Sequence, residues 1–176
     1  MPKILDDMEE KILKEARHQV FTDGYEKTSI RTIAAACHIA VGTVYNYYKS
    51  KEYLIASFMV PDWIETEFAM RRRCEGADSL IEACRGIYAE LLDFEARYEP
   101  IFKNPEAVRD ASGIFMGRHR NLRQVEAGML QETAERLGAA VEPYTVEFAA
   151  EAILTWSNEG VPFEQLEPIL LRIVQK

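Results

Sequence analysis

Apolar residues recur at three- and four-residue spacing along almost the whole chain, the period of helices that bury one face. Met8, Ile12, Leu13, Ala16 and Val20 make the first such run, and Asp23-Gly24 ends it with a residue suited to a left-handed C-cap. Ser29 then offers an N-cap hydroxyl ahead of Ile30, Ile33 and Ala34, which predicts a short helix over about 29 to 36. A second short helix is predicted over Val41 to Tyr48, so residues 37 to 40 must be a tight turn. Two short helices across a tight turn are the helix-turn-helix arrangement, whose second helix projects into a DNA major groove. Lys51 opens a further helix through Leu54, Ile55 and Phe58, and Pro61 is expected to kink or break it at Val60.

Beyond residue 62 there is no Ser/Gly linker, repeat or low-complexity tract, so the second part is expected to be docked, not tethered. Leu80, Cys84, Ile87, Leu91 and Phe94 form one stripe of a long helix, and Leu122, Val125, Met129, Ala134 and Leu137 another that ends near Gly138. Pro143 stands at the start of a third, running through Phe148, Ala152 and Trp156 to Gly160, and Phe163 to Val174 is the last. No alternating run bounded by hairpin turns competes. The expected fold is all-α, with an N-terminal three-helix head over residues 1–52 and a helical body over 53–176.

Composition narrows the class. With 176 residues, 48% hydrophobic and 28% charged, the chain can bury a core and is not disordered. Its uncharged apolar runs fall far short of the ~18 residues of a membrane span, and the sequence does not open like a secretory leader. The expected location is cytoplasmic, with no membrane partner. Cys37, Cys74 and Cys84 are an odd count with no C-x-x-C pair, so they read as small buried hydrophobes, not as a disulfide framework or a metal site. The net charge of −8 is carried entirely by residues 53–176; residues 1–52 balance eight basic against eight acidic side chains. Within 24–51, Lys27, Arg31, Lys49 and Lys51 outnumber Glu26. A local basic face can bind phosphate while the rest of the molecule repels DNA.

The stretches Thr28-Ser29-Ile30-Arg31-Thr32-Ile33-Ala34 and Val41-Gly42-Thr43-Val44-Tyr45-Asn46-Tyr47-Tyr48-Lys49-Ser50-Lys51-Glu52-Tyr53-Leu54 resemble the DNA-binding domain of TetR-type (tetracycline-repressor-like) transcriptional regulators. The resemblance covers about residues 8 to 60; the remainder agrees in being helical and of the right length. It implies a homodimeric, ligand-responsive DNA-binding protein, and it puts Thr28, Ser29 and Thr32 among the DNA-facing residues. Three departures stand out. The turn position commonly filled by glycine holds His38, the usual hydroxyl cap of the second helix is Ala40, and Val41 occupies an often basic position.

Each remaining position has a physical role. Gly42 lets the backbone approach the sugar-phosphate surface, Thr43 and Tyr45 offer hydroxyls to phosphate oxygens, Tyr47 faces the same backbone, and Lys49 and Lys51 add charge. The N–H groups of the helix that opens at Lys51 favour an anion. Base reading falls to Arg31, suited to guanine O6 and N7, and to Asn46, with the amide geometry for adenine, while Val41 can touch a thymine methyl. Ile30, Ile33, Ala34, Val44 and Tyr48 point into the small core by the same spacing.

Catalysis has no candidate residues. Glu15 to His18 has an E-x-x-H spacing, but no second copy completes a di-metal bundle, and no phosphate loop, nucleophile elbow or zinc-ligand spacing occurs. No cofactor is expected. Arg71-Arg72-Arg73 reads as a solvated surface. In the body, Tyr88, Phe115 and His119 are the expected contacts of an unknown small-molecule inducer; the surrounding acidity favours a cationic or neutral apolar one. A specific operator needs two heads, hence a homodimer on a palindrome. Its expected seam is the last two helices, through Phe148, Ala149, Ala152, Trp156, Phe163, Leu166, Leu170 and Ile173. The competing reading is a helical interaction module whose head binds DNA weakly or not at all.

Overall fold

The protein is described from a computed structural model covering residues 3–110, 112–142 and 144–174, with side chains outside 3–6 and 112–118. Ten helices and no strand occur among the described residues: α1 Lys3–Thr22, α2 Ile30–Cys37, α3 Val41–Tyr47, α4 Lys51–Gly76, α5 Leu80–Arg97, α6 Glu99–Phe102, α7 Pro105–Asp110, α8 Ser112–Leu137, α9 Thr145–Asn158 and α10 Phe163–Val174. The fold is all-α, as the periodicity predicts. Pro143, the expected start of the third body helix, lies outside the described residues.

The chain forms two compact units, one of Met1–Asp62 with Tyr98–Ser112, the other of Trp63–Arg97 with Gly113–Lys176. In the first, Ile12, Ala16 and Val20 of α1 are buried together with Ile30, Ile33, Ala34 and Cys37 of α2 and Val44 of α3. Around Arg17 a polar clasp closes. Its guanidinium donates to Asp62 Oδ2 at 3.1 Å from both terminal nitrogens and to the Tyr98 hydroxyl at 2.9 Å. Tyr98 in turn donates to Asp62 at 2.6 Å. The cation also lies 5.5 to 6.0 Å from the rings of Phe21, Tyr98 and Phe58, so the partly buried pair sits over aromatic faces that favour it. Burial and the Asp62 hydrogen bond push the Tyr98 hydroxyl up to about 12, against the pull of Arg17. The short helices α6 and α7, which the periodicity does not reveal, thus belong to the same compact unit as α1 to α3.

Two expectations change. Helix α4 runs through Pro61, so of the expected kink or break the break does not occur. A proline forfeits one hydrogen bond to the residue four positions back. Here it is exposed, and Leu54, Ile55, Phe58 and Met59 before it and Thr66, Met70 and Cys74 after it are buried, so packing on both flanks holds the helix. The second change concerns the expected seam. Ala149, Phe163, Leu166 and Leu170 are buried in the second unit's own core with Ile87, Leu91, Leu130 and Ile153. Phe148 is exposed and Ala152, Trp156 and Ile173 are half-buried. The apolar surface of α9 and α10 therefore divides into an inner row already filled and an outer row still open.

The three cysteines are free and buried; burial pushes the thiols of Cys74 and Cys84 up to about 11 and about 12. In the second unit, α5 comes so close to α4 that a Cβ on Gly86 would stand 2.6 Å from the Arg73 Cβ. Among the buried polar residues of this unit, Glu126 of α8 is 1% exposed, and neither carboxyl oxygen has a hydrogen-bond partner. Burial, followed by the charges of Glu151 and Glu95, pushes its carboxyl well above the usual carboxylate range. The folded state therefore keeps a proton that the unfolded chain releases, and that advantage is lost as pH rises past the ordinary carboxylate range toward the folded value. We expect the melting temperature of the wild type to fall relative to Glu126→Gln as pH rises above the ordinary carboxylate range. Parallel curves in a calorimetric pH series contradict this assignment.

Candidate nucleic-acid interface

The helix-turn-helix is built by caps and by α1. Ser29 caps α2 by accepting from the Thr32 amide at 3.1 Å, while Thr32 Oγ1 accepts from the Ser29 amide at 2.9 Å, a reciprocal capping box. Thr32 Oγ1 also reaches Gln19 Oε1 at 2.7 Å, and the Gln19 amide donates to Glu15 at 2.7 Å. Gln19 is buried and ties the start of α2 to α1, a role the hydrophobic periodicity does not signal. At the other end of α2, Lys11 donates to the Cys37 carbonyl at 2.9 Å, a cation placed where the helix leaves carbonyls unpaired.

The turn behaves as the departures from the family pattern anticipate. His38 sits in the left-handed region at φ 59°, ψ 42°, and its amide reaches back to the carbonyls of Ala34 and Ala35. A side chain there costs about 1 kcal/mol relative to glycine. Ala40 at the start of α3 makes no side-chain cap. Helix α3 is held instead by Val44, fully buried, and by Tyr48, 5% exposed, whose hydroxyl donates to Glu9 at 3.0 Å. Burial and Glu9 push that hydroxyl up from its ordinary value.

With Val44 and Tyr48 inward, the opposite side of α3 is open. Val41, Gly42, Tyr45 and Asn46 are exposed, and Thr43 and Tyr47 are half-buried. Arg31, in the first turn of α2, and Lys49, just after α3, are exposed as well. Six polar or charged side chains, a glycine and one methyl-bearing valine thus line the first unit with no side-chain hydrogen bond among the described residues, the composition that phosphate and base-edge contact uses.

Four expected DNA-facing residues have other work, Ser29 beside Thr32 in the capping box among them. Thr28 is buried, and its hydroxyl donates to the Gly24 carbonyl at 2.9 Å. Thr32 is engaged in the capping box. Lys51 is half-buried; its ammonium lies 3.5 Å from the Tyr25 ring centroid and donates to the Tyr25 carbonyl at 2.5 Å. Burial pulls the Lys51 ammonium below its ordinary value, against Glu52, Glu106, Asp110 and Glu26. In the second unit, Tyr88 is a buried tyrosine whose hydroxyl donates to the carbonyls of Trp156 and Val161, and His119 is exposed. The side chain of Phe115 lies outside the described residues.

Residues 12–58 match the model of the bacterial regulatory proteins of the tetR family. The head belongs to the tetR family. Over 129 residues the chain is 22% identical to the HTH-type transcriptional regulator UidR of Escherichia coli strain K12; the match takes in 72% of this chain and 66% of that regulator, just under two thirds of its length. Among solved structures, Thermus thermophilus FadR, a TetR-family repressor in complex with lauroyl-CoA, aligns with a TM-score of 0.65 at 22% identity, covering 94% of this chain and 92% of that one. A TetR-family regulator from Haemophilus influenzae RD aligns with a TM-score of 0.55 at 17% identity, over 98% and 99% of the two chains. These likenesses establish the fold well beyond the tetR-family head.

The different settings of the two lysines are testable. Lys51→Ala removes a hydrogen bond and a cation–π contact and should destabilise the protein by about 1–2 kcal/mol. Lys49→Ala should stay within about 0.5 kcal/mol of wild type. Chemical denaturation that finds the two variants equally stable contradicts the structural role of Lys51.

Proposed function

We propose that this chain is a DNA-binding transcriptional regulator that grips a palindromic operator as a homodimer and is released from it, as a repressor, by a small-molecule inducer. The observation that carries the reading is the uncovered outer face of α3, where Val41, Gly42, Tyr45 and Asn46 stand exposed opposite the buried Val44 and Tyr48. Tyr45, Thr43 and Lys49 contact phosphates and set register, Arg31 and Asn46 read base edges, and Gly42 lets the helix approach closely. Head and body divide the work as 1–52 for reading and 53–176 for sensing and dimerisation. No helix among the described residues is long and apolar enough to cross a membrane, which agrees with a cytoplasmic regulator.

Two subunits are needed because one short helix contacts too few base pairs; a dimer repeats it about 34 to 36 Å away along the duplex. The outer row of the last two helices supports the seam. Tyr144, Phe148, Ala152 and Trp156 recur every four residues at and along α9, with Tyr144 79% and Phe148 59% exposed; on α10 Ile169 is 45% exposed and Ile173 half-buried. Small Ala152 between large aromatics permits close approach across a two-fold axis.

In binding titrations on DNA flanking its own gene, Arg31→Ala should lose about 1–3 kcal/mol of discrimination at one base position and leave the others unchanged. Ala152→Arg should be monomeric by light scattering, keep its helicity and lose operator binding. An unchanged base preference removes Arg31 from the reading set, and a monomeric wild type that binds no DNA selectively overturns the regulator reading.

A further inference from the structure

The second unit carries an electrostatic anomaly that its fold does not need. Glu126 is almost completely buried, with both carboxyl oxygens unpartnered, in a core otherwise built of Met70, Leu91, Met129, Leu130 and their neighbours. An unmade hydrogen bond at a buried carboxyl leaves its full desolvation penalty standing. Two more carboxylates act on it: Glu95 of α5 and Glu151 of α9. Glu95 is half-buried and accepts from the Ser157 hydroxyl at 3.0 Å; burial pushes its carboxyl up as well. Glu151 keeps 44% of its side chain exposed and pairs with Arg123 at 3.3 Å. Among the described residues, Arg123 pairs with Glu151 and not with Glu126. The arrangement couples two partly exposed carboxyls, Glu95 and Glu151, to an orphaned buried one.

We infer that this unit binds a small organic cation, an ammonium with an apolar tail, whose charged head is taken by Glu126 between α5, α8 and α9. The inference deepens the sensing role proposed for residues 53–176 and rests on it. An ammonium brings N–H donors to both unpartnered oxygens and a charge that Glu95 and Glu151 favour. Bound, it keeps Glu126 ionised in a place where burial alone would protonate it. The apolar residues that flank Glu126 on α8, Leu122, Val125, Met129 and Leu130, suit the tail. A carboxylate or phosphate ligand meets the opposite field, and a neutral alcohol satisfies the hydrogen bonds but not the charge. The side chain sets the ligand class by which head group removes its penalty.

The test uses hexylammonium, 1-hexanol and hexanoate as probes of one tail and three head groups, titrated calorimetrically into the full chain without DNA. Hexylammonium should bind in the millimolar range or tighter, with 1-hexanol at least about tenfold weaker and hexanoate weaker still. Glu126→Gln, which keeps the shape and removes the charge, should weaken hexylammonium by about 10- to 100-fold. Glu126→Met provides a second variant, because replacing a desolvated carboxyl with an apolar group of similar size preserves folding, as circular dichroism would verify. No hexylammonium binding, equal affinity for 1-hexanol, or equal affinity of wild type and variants overturns the inference. DNA binding assayed on the same samples separates the two claims. A wild type that binds DNA but shows no preference for the cation sinks the ligand class alone, whereas loss of selective DNA binding sinks the regulator reading.

Discussion

Two helices as short as α2 and α3 do not persist alone in water, since nucleation costs more than one or two turns of hydrogen bonds return. Everything the head can do depends on their being pinned to α1. Ile12, Ala16 and Val20 give the apolar floor, Gln19 fastens the start of α2 and Lys11 its end, and Glu9 receives the hydroxyl of Tyr48 after α3. With both ends of α2 fixed, the turn through His38 sets where α3 begins, and the anchoring of Val44 and Tyr48 sets which of its sides stays open. The open face of α3 follows from that anchoring.

The first unit also recruits chain from far along the sequence. Tyr98–Ser112 belongs to it, so the polypeptide passes between the units at residues 62/63, 97/98 and 112/113. The Arg17, Asp62 and Tyr98 clasp lies inside this unit and joins α1, the end of its share of α4, and the entry to α6. Its charge-assisted hydrogen bonds are partly buried and surrounded by aromatic rings, so removal of one member strands the others. The acidic residues Glu106 and Asp110 of α7 act on Lys51 at the start of α4, so the later segment also touches the electrostatics of the reading head.

Much of this was legible in the sequence where local chemistry is strong. The cap at Ser29, the turn at 37–40, the uncapped Ala40 and the inward Val44 and Tyr48 all follow from residue type and spacing, and the structure has them. The short α6 and α7 were hidden because four or six residues carry no period, and Asn104-Pro105 reads as a plain break. Pro61 misleads because a local rule is outweighed by packing on both flanks. Gln19 and Arg17 stayed invisible since a polar residue on a helix is ordinarily solvated, and only the fold brings Thr32, Asp62 and Tyr98 to them. Helix periodicity marks an apolar surface on α9 and α10 without saying how much of it the chain itself covers, which is why Phe163, Leu166 and Leu170 turn inward while Phe148 does not.

The central claim is that the outer side of α3 is the surface that meets DNA. The most direct measurement replaces Tyr45 with a photo-crosslinking benzophenone residue and irradiates the protein on DNA from its own upstream region, with the same replacement of the 79% exposed Tyr144 as control. The account predicts a protein–DNA adduct from position 45 and none from position 144. Adducts of equal yield from both positions, or none from position 45 while the protein still shifts the DNA, would contradict it.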